Sequence, residues 1–309
     1  MSVPVTVYSS QDTGAPQFVE GKPSELFNVL KSCLIDGYGS KPPAGWQLQS
    51  LSESEMVINN HPTEASGFTA RIASERGDDS PKQCVSVTPM KSWTGTEALL
   101  PGYMKVIYIA SDARFFHWVL IASKSAFYFF KGWRDASVGG PYQFGAKETA
   151  VFLGDIKPVV ANDLSIFLAY GADGGKKNHT FNSRYGSGDY DFGYDLGLNG
   201  NEDKTVLLYD RALDGSPIDY RVAPMLVNSN PKAPAPPTDG LYLPVFVMND
   251  KDIGTQQFLR GTLPGLIHTT EPMHRNETPP FFTQVNDQTH YAVVTIQEAV
   301  GLYINCEAW

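Results

Sequence analysis

The chain has 309 residues, of which 18% are charged and 42% hydrophobic, with 24 Lys and Arg against 33 Asp and Glu for a formal net charge of -9. The length suits one large domain or two average ones, and the hydrophobic share argues against disorder. The acidic balance argues against a phosphate-neutralising surface, and no apolar run approaches the roughly 18 residues of a bilayer span, so neither nucleic acid nor a membrane is an expected partner.

In chain order, the first eight residues lack a basic region followed by an apolar one, and read as a strand rather than a secretory signal. A helix is predicted over 24–36. Ser24 stands where an N-cap hydroxyl would accept from the first turn, and Glu25 adds a favourable charge there. Leu26, Phe27, Leu30, Cys33 and Leu34 recur at spacings of three and four and form one apolar stripe, and Gly37 is the stop. Short runs rich in Val, Ile, Tyr and Phe then predict strands at 70–73, 85–88, 105–110, 118–122, 126–130, 149–153, 164–170, 205–209, 220–222, 241–248, 291–296 and 302–305. They are punctuated by Gly, Pro, Asn or Asp, and the chain holds 28 Gly and 22 Pro. Residues 115–121 and 127–130 are apolar on both alternating faces, which predicts central strands covered on both sides, joined by a hairpin at Ser123, Lys124 and Ser125. The expected fold is α+β and predominantly β, with antiparallel β-rich lobes and one N-terminal amphipathic helix. A lobe boundary near residue 135 divides 1–135 from 136–309, with a single domain as the alternative.

Two stretches break the alternation. Residues 228–239 are proline-dense and therefore extended. Residues 171–204 are crowded with Gly, Asn, Asp and Tyr, and a loop of that length is expected to carry function. Its carboxylates invite a calcium-loop reading in which Asp191, Asp195, Asn199 and Glu202 take the first, fifth, ninth and twelfth positions. The third is Gly193, however, and the sixth, which must turn sharply, is Leu196, so no EF-hand is expected; a solvated polar loop of turn-forming Asp and Asn is the expected form, with an irregular oxygen-ligand cation site as the alternative. The same loop carries Tyr185, Tyr190, Phe192 and Tyr194. Such flat amphipathic rings suit a protein partner, can pin the loop to the body, or can stack on a sugar beside Asp189, Asp191 and Asp195. The expectation is an assembly contact made by these four rings.

Catalytic patterns are sparse. His61, His117, His179, His268, His274 and His290 never fall at H-x-x-x-H or H-E-x-x-H spacing, and His117, inside an apolar strand, reads as a satisfied core imidazole. There is no G-x-S-x-G, no P-loop and no G-x-G-x-x-G opening a helix. Cys33, Cys84 and Cys306 are widely spaced, with no C-x-x-C, and read as free thiols rather than a disulfide framework or a zinc site. The expected protein is not an enzyme and takes no cofactor and no metal.

Several elements carry a resemblance. Thr6-Val-Tyr-Ser-Ser-Gln-Asp-Thr-Gly-Ala-Pro16 is a short strand followed by an S-x-D-x-x-A-P turn. A leucine-rich helix at 30–34 leads into Gly37-Tyr-Gly-Ser-Lys-Pro-Pro-Ala-Gly-Trp46. Residues 114–130 hold a tryptophan-bearing strand and an aromatic one, and Phe152-Leu-Gly-Asp155 and Leu259-Arg-Gly-Thr-Leu-Pro-Gly-Leu266 follow. In this order the chain resembles a family of tailed-bacteriophage virion structural proteins. The resemblance implies a non-enzymatic virion protein, of the tail or baseplate, bound to other virion proteins and to copies of itself in a symmetric assembly. It would reside in the virion, and in the host cytoplasm during assembly. A capsid-surface or head-to-tail position is the alternative location, and a glycan-binding or glycan-cleaving receptor protein the alternative role. Physically the shared residues read as scaffold: Gly37 and Gly39 bracket a tight exit from the helix, Trp46 closes one end of the core, and Pro264 and Gly265 make a turn after a strand.

Overall fold

A computed structural model describes residues 2–81, 84–93, 97–99, 105–108, 117–132, 149–161, 167–171, 205–209, 218–224, 242–249, 259–272, 281–293 and 300–309. They form a mixed α+β fold dominated by antiparallel β-sheets, with one short helix near the N-terminus. In order the elements are β1 (Thr6–Ser9), α1 (Pro23–Lys31) continued by a π-helical turn (Ser32–Asp36), β2 (Gln47–Leu51), β3 (Glu55–Asn59), β4 (Thr69–Ser74), β5 (Cys84–Trp93), β6 (Glu97–Leu99) and β7 (Lys105–Tyr108). There follow β8 (His117–Ala122), β9 (Ala126–Gly132), β10 (Thr149–Asp155), β11 (Lys157–Pro158), β12 (Phe167–Gly171), β13 (Thr205–Tyr209) and β14 (Ile218–Pro224). The last are β15 (Tyr242–Asn249), β16 (Leu259–Pro272), β17 (Phe282–Val285), β18 (Gln288–Val293) and β19 (Val300–Asn305). Each of the twelve expected strands coincides with one of these, while residues 109–110, 164–166, 241 and 294–296 of the expectations lie outside the described residues.

The helix starts one residue earlier than expected, and Ser24 is not its cap. Pro23 takes the first helical position, where a missing N–H is harmless, so the cap falls on Lys22. Glu25 then folds back over the entry: one carboxylate oxygen accepts from the Val19 and Glu20 N–H groups at 3.1 and 2.8 Å, and the other from Gly21 and Lys22 at 2.7 and 3.2 Å. Ser24 instead donates its hydroxyl and its N–H to the two oxygens of Asp79, at 2.7 and 2.8 Å, and ties the helix to the loop beyond β4. Gly37 ends the helical run as expected, at φ 77°, where a Cβ would lie 2.7 Å from the Lys41 carbonyl oxygen. The buried stripe is Leu26, Phe27, Leu30, Cys33 and Leu34, with Val29 beside it.

One large sheet runs β1-β8-β9-β10-β12-β13-β14-β15-β16-β19-β18-β17, and a smaller one runs β2-β3-β4-β5-β6 with β7 also on β5. Strands from both sides of residue 135 share the large sheet, since β9 and β10 pair directly. The large sheet also closes on itself. Past Ile156, β10 continues into β11, which pairs with β16, so that β10–β11, β12, β13, β14, β15 and β16 make a ring of antiparallel neighbours. Gly261 permits this closure, because a Cβ there would meet the Lys157 carbonyl oxygen at 2.4 Å.

Strands β8, β9 and β10 form the middle layer, covered on both faces as the two-sided apolar pattern predicts. One face, with Trp118, Leu120, Phe127, Phe129, Val151 and Leu153, packs on α1 and the small sheet. The other, with Val119, Ile121, Tyr128, Phe130 and Phe152, packs on residues of β15, β16, β18 and β19. The Ser123–Ser125 hairpin is in place, closed by the Ser123 N–H donating to Ala126 O at 2.9 Å.

Pro264 and Gly265 do not make a turn after a strand. They lie inside β16, whose pairing with β15 resumes on both sides, at Pro244↔Ile267 and Phe246↔Thr262, across a bulge. Gly265, at φ 66°, lets the strand kink without leaving the sheet, and the Trp309 indole occupies the space a side chain would need, 2.1 Å from where its Cβ would sit.

Candidate functional site

Tyr185, Tyr190, Phe192 and Tyr194 lie outside the described residues, as do the neighbouring Asp189, Asp191 and Asp195 and the proline-dense 228–239. What the fold brings together instead are residues of the segments 6–16, 37–46, 114–130, 152–155 and 259–266, which meet at three joints.

The first joint closes the β1 edge of the large sheet. Ser10 N–H donates to Trp118 O at 3.0 Å, so by antiparallel alternation the backbones of Val7 and Ser9 face away from β8. Three of these four outward groups are taken. Lys41 Nζ donates to Val7 O at 2.8 Å, Asp12 N–H to Ser9 O at 3.0 Å with Tyr38 OH 3.5 Å from the same oxygen, and Ser9 N–H to Asp12 Oδ2 at 2.8 Å. Tyr38 OH also lies 2.9 Å from Asp12 Oδ2, and Lys41 Nζ 3.7 Å from Asp12 Oδ1. Burial, with the nearby Cys33 and Asp12, pushes the Tyr38 phenol well above its ordinary value, so it stays a neutral donor. Gly39 sits so close to Thr13 that a Cβ would be 2.6 Å from its carbonyl oxygen. Thus the S-x-D turn and the G-Y-G-x-K segment act as one clasp on an exposed strand edge.

The second joint is a buried polar hub around Asp155. Its Oδ2 accepts the Ser66 N–H at 2.8 Å, and its Oδ1 accepts the Ser66 hydroxyl at 2.5 Å and Asn60 Nδ2 at 2.9 Å. Asn60 Nδ2 also donates to Ser125 O at 3.1 Å, and the Asp155 N–H to the same oxygen at 3.0 Å. Burial raises the Asp155 carboxyl to about 6, against the hydrogen bonds from Ser66 and Asn60 that lower it. The preceding Gly154 lies against the hairpin, where a Cβ would be 2.3 Å from Ala126 Cα. The F-x-G-D element therefore supplies a core ring, a close approach and a hub. Trp46 closes this end of the core as expected, with its indole N–H on Ser123 O at 2.9 Å and its ring edge-on to Phe127 at 5.2 Å.

The third joint seats L-R-G-x-L-P-G-L. Tyr128 OH donates to Pro264 O at 2.9 Å, while Trp309 packs edge-on to Tyr128 with ring centroids 5.4 Å apart and over Gly265.

The described histidines stand in separate places. His117 is half-buried at the start of β8, 3.4 Å from a Ser10 hydroxyl that already accepts the Trp118 N–H at 3.2 Å. His61 pairs with Glu64, and His290 Nδ1 lies 2.9 Å from Gln288 O. His268 is buried in β16 with neither ring nitrogen hydrogen-bonded among the described residues, and burial lowers its pKa. Among the described residues no three His, Cys, Asp or Glu side chains converge in a way that could hold a metal ion, and no helix is long and apolar enough to cross a membrane. Cys33 is free and buried, and Cys306 is free with its thiol pushed up to about 12 by burial.

Residue patterns alone do not show two of these groups. Asp12, Tyr38 and Lys41 read as turn residues, since nothing in their spacing shows that β1 is an edge. Lys131 ends an aromatic strand and looks exposed, yet it is buried with its ammonium 4.0 Å from the centre of the Phe18 ring, and burial pushes its pKa down to about 7 while Glu25 opposes the shift. The chain matches no protein-family model, and no curated protein is found to be similar to it.

Proposed function

We propose that this chain is a non-enzymatic structural subunit of a tailed-bacteriophage particle, of the tail or baseplate, that works by protein–protein contacts with other virion proteins and with copies of itself. The observation that carries this reading is the convergence of the shared motifs. Segments scattered between residues 6 and 266 meet at three joints, each of which fastens strands rather than presenting a reactive group. The low charged fraction, 18%, fits interfaces whose centres are poor in charge. Mass spectrometry of purified particles is the test: detection in stoichiometric amount is expected, and absence from the particle would end the reading. Antibody labelling of intact particles then distinguishes tail or baseplate from the capsid surface and the head-to-tail junction. Reproducible binding on a glycan array, lost on Tyr190→Ala and Tyr194→Ala, would replace this role with a receptor-binding one.

A further inference from the structure

The two ends of the large sheet are treated differently. At β1 three of the four outward backbone groups of Val7 and Ser9 are clasped by Asp12, Tyr38 and Lys41, as described above. At the other end stands β17, which among the described residues is paired only with β18. Ala292 N–H donates to Phe281 O at 2.9 Å, so residues 281, 283 and 285 turn their backbone groups toward β18 and residues 282 and 284 turn theirs away. Among the described residues nothing donates to or accepts from the outward N–H and C=O of Phe282 and Gln284.

Sheet proteins usually blunt such an edge with a charge, a proline or a bulge. The outer strand β2 of the small sheet follows that habit, with a register shift between Leu48 and Ser50. β17 has none of these devices: Phe-Thr-Gln-Val is uncharged, pairs with β18 in unbroken register, and leaves Phe282 39% exposed. The strand is also held ready. Asn286 and Asp287, at φ 50° and 61°, make the tight turn into β18, and the next strand is fastened by Asn305 Nδ2 on Gln288 Oε1 at 2.8 Å and the Cys306 N–H on Thr289 O at 2.9 Å. Little ordering is left to do on binding.

We propose that β17 docks against β17 of a second copy of this chain, antiparallel about a two-fold axis beside Thr283. An unpaired row of alternating donors and acceptors recognises an extended backbone, and this row is complementary to itself. With the axis at Thr283, Phe282 of each copy opposes Gln284 of the other, and both outward residues exchange their N–H and C=O groups. The isologous arrangement closes as a dimer, and the large sheet becomes continuous across it. In a chain of net charge -9, the absence of charge on this strand makes it a place where two copies can approach. The pairing deepens the self-association in the proposed function but rests on the edge geometry alone, and its test needs only purified protein.

Thr283 falls at a non-hydrogen-bonded position on the axis, where facing Cα atoms lie about 4.5 Å apart, within disulfide reach. Purified full-length Thr283→Cys, mildly oxidised, should therefore form a covalent dimer about tenfold faster than Ser52→Cys on the exposed β2–β3 turn at equal concentration. Unmodified protein oxidised alongside measures the contribution of Cys33, Cys84 and Cys306. Adding Gln284→Pro should return the rate to that of the control, because proline removes an outward N–H and leaves the β17–β18 bonds intact. Should Gln284→Pro fail to fold by circular dichroism, Gln284→Asp takes its place by adding repulsion at the same exposed position. Cross-linking of Thr283→Cys at the Ser52→Cys rate, or undiminished by the edge variant that folds, overturns the proposal, whatever mass spectrometry finds in the particle.

Discussion

Asp155 and Lys131 are two buried ionisable groups that pull stability in opposite directions with pH. The Asp155 carboxyl rises from 3.8 to about 6 in the folded chain, so the folded state holds its proton more tightly than the unfolded one. Its contribution is therefore present near pH 4 and lost as the pH climbs to about 6, a difference on the order of 3 kcal/mol. Denaturant melts between these values should show Asp155→Asn gaining on the wild type as pH rises. Lys131 runs the other way. Its pKa falls from 10.5 to about 7, so the unfolded chain binds the proton more tightly and stability increases with pH across that window. Lys131→Met, which keeps an unbranched side chain over Phe18, should flatten the rise in the same kind of melt. Neither group declares itself in the residue pattern. An aspartate after a glycine at a strand end looks like a turn residue, and a lysine ending an aromatic strand looks like its solvated tip. Only the layer packed over each makes it buried.

Elements built on periodicity were legible, and elements whose limits depend on a neighbour were not. The apolar stripe of α1 and the two-sided apolar runs of β8 and β9 state their own burial, and each occupies its expected place. The cap of α1 moved because Pro23 fits the first helical position and Glu25 can reach back to four N–H groups, a choice made by the loop that precedes it. β16 was hidden because Pro264 and Gly265 spell a turn, while partners on both sides hold the kinked segment in the sheet. Of the candidate site, the four rings lie outside the described residues, whereas the motif residues resolve into joints. Two substitutions probe these joints. Gly154→Ala places a Cβ 2.3 Å from Ala126 Cα at φ 139° and should cost about 3 to 5 kcal/mol in thermal or urea unfolding. Tyr38→Phe combined with Lys41→Met removes two donors from the β1 edge. It should cost about 1 to 2 kcal/mol and raise amide exchange locally in β1, with β8 to β10 unchanged.

At the scale of the whole molecule, the decisive fact is that one set of strands serves two cores. The middle layer of β8, β9 and β10 takes its first cover from α1 and the small sheet and its second from strands beyond residue 241. Fragments 1–135 and 136–309 made separately would each leave a face of apolar side chains bare, and both should be insoluble or molten. Produced together they should assemble into a soluble complex with the near-ultraviolet circular dichroism of the intact chain, since the β9–β10 register can form between fragments. Two soluble, independently folded fragments would show instead that each lobe completes its own core. Composition could indicate a β-rich chain, but pairings such as β11 with β16 join residues about a hundred apart and leave no local mark.

The same two-sided layer sets a timetable for synthesis. When β9 leaves the ribosome, the helix and the first strands of the small sheet are already available to cover one face, but the second face waits for more than a hundred further residues. At about 5 to 20 residues per second that is on the order of ten seconds during which Val119, Ile121, Tyr128 and Phe130 have no native partner from the C-terminal strands. Yield in the cell should thus depend on chaperone supply and on translation speed beyond residue 132, more than on any single contact in the finished protein.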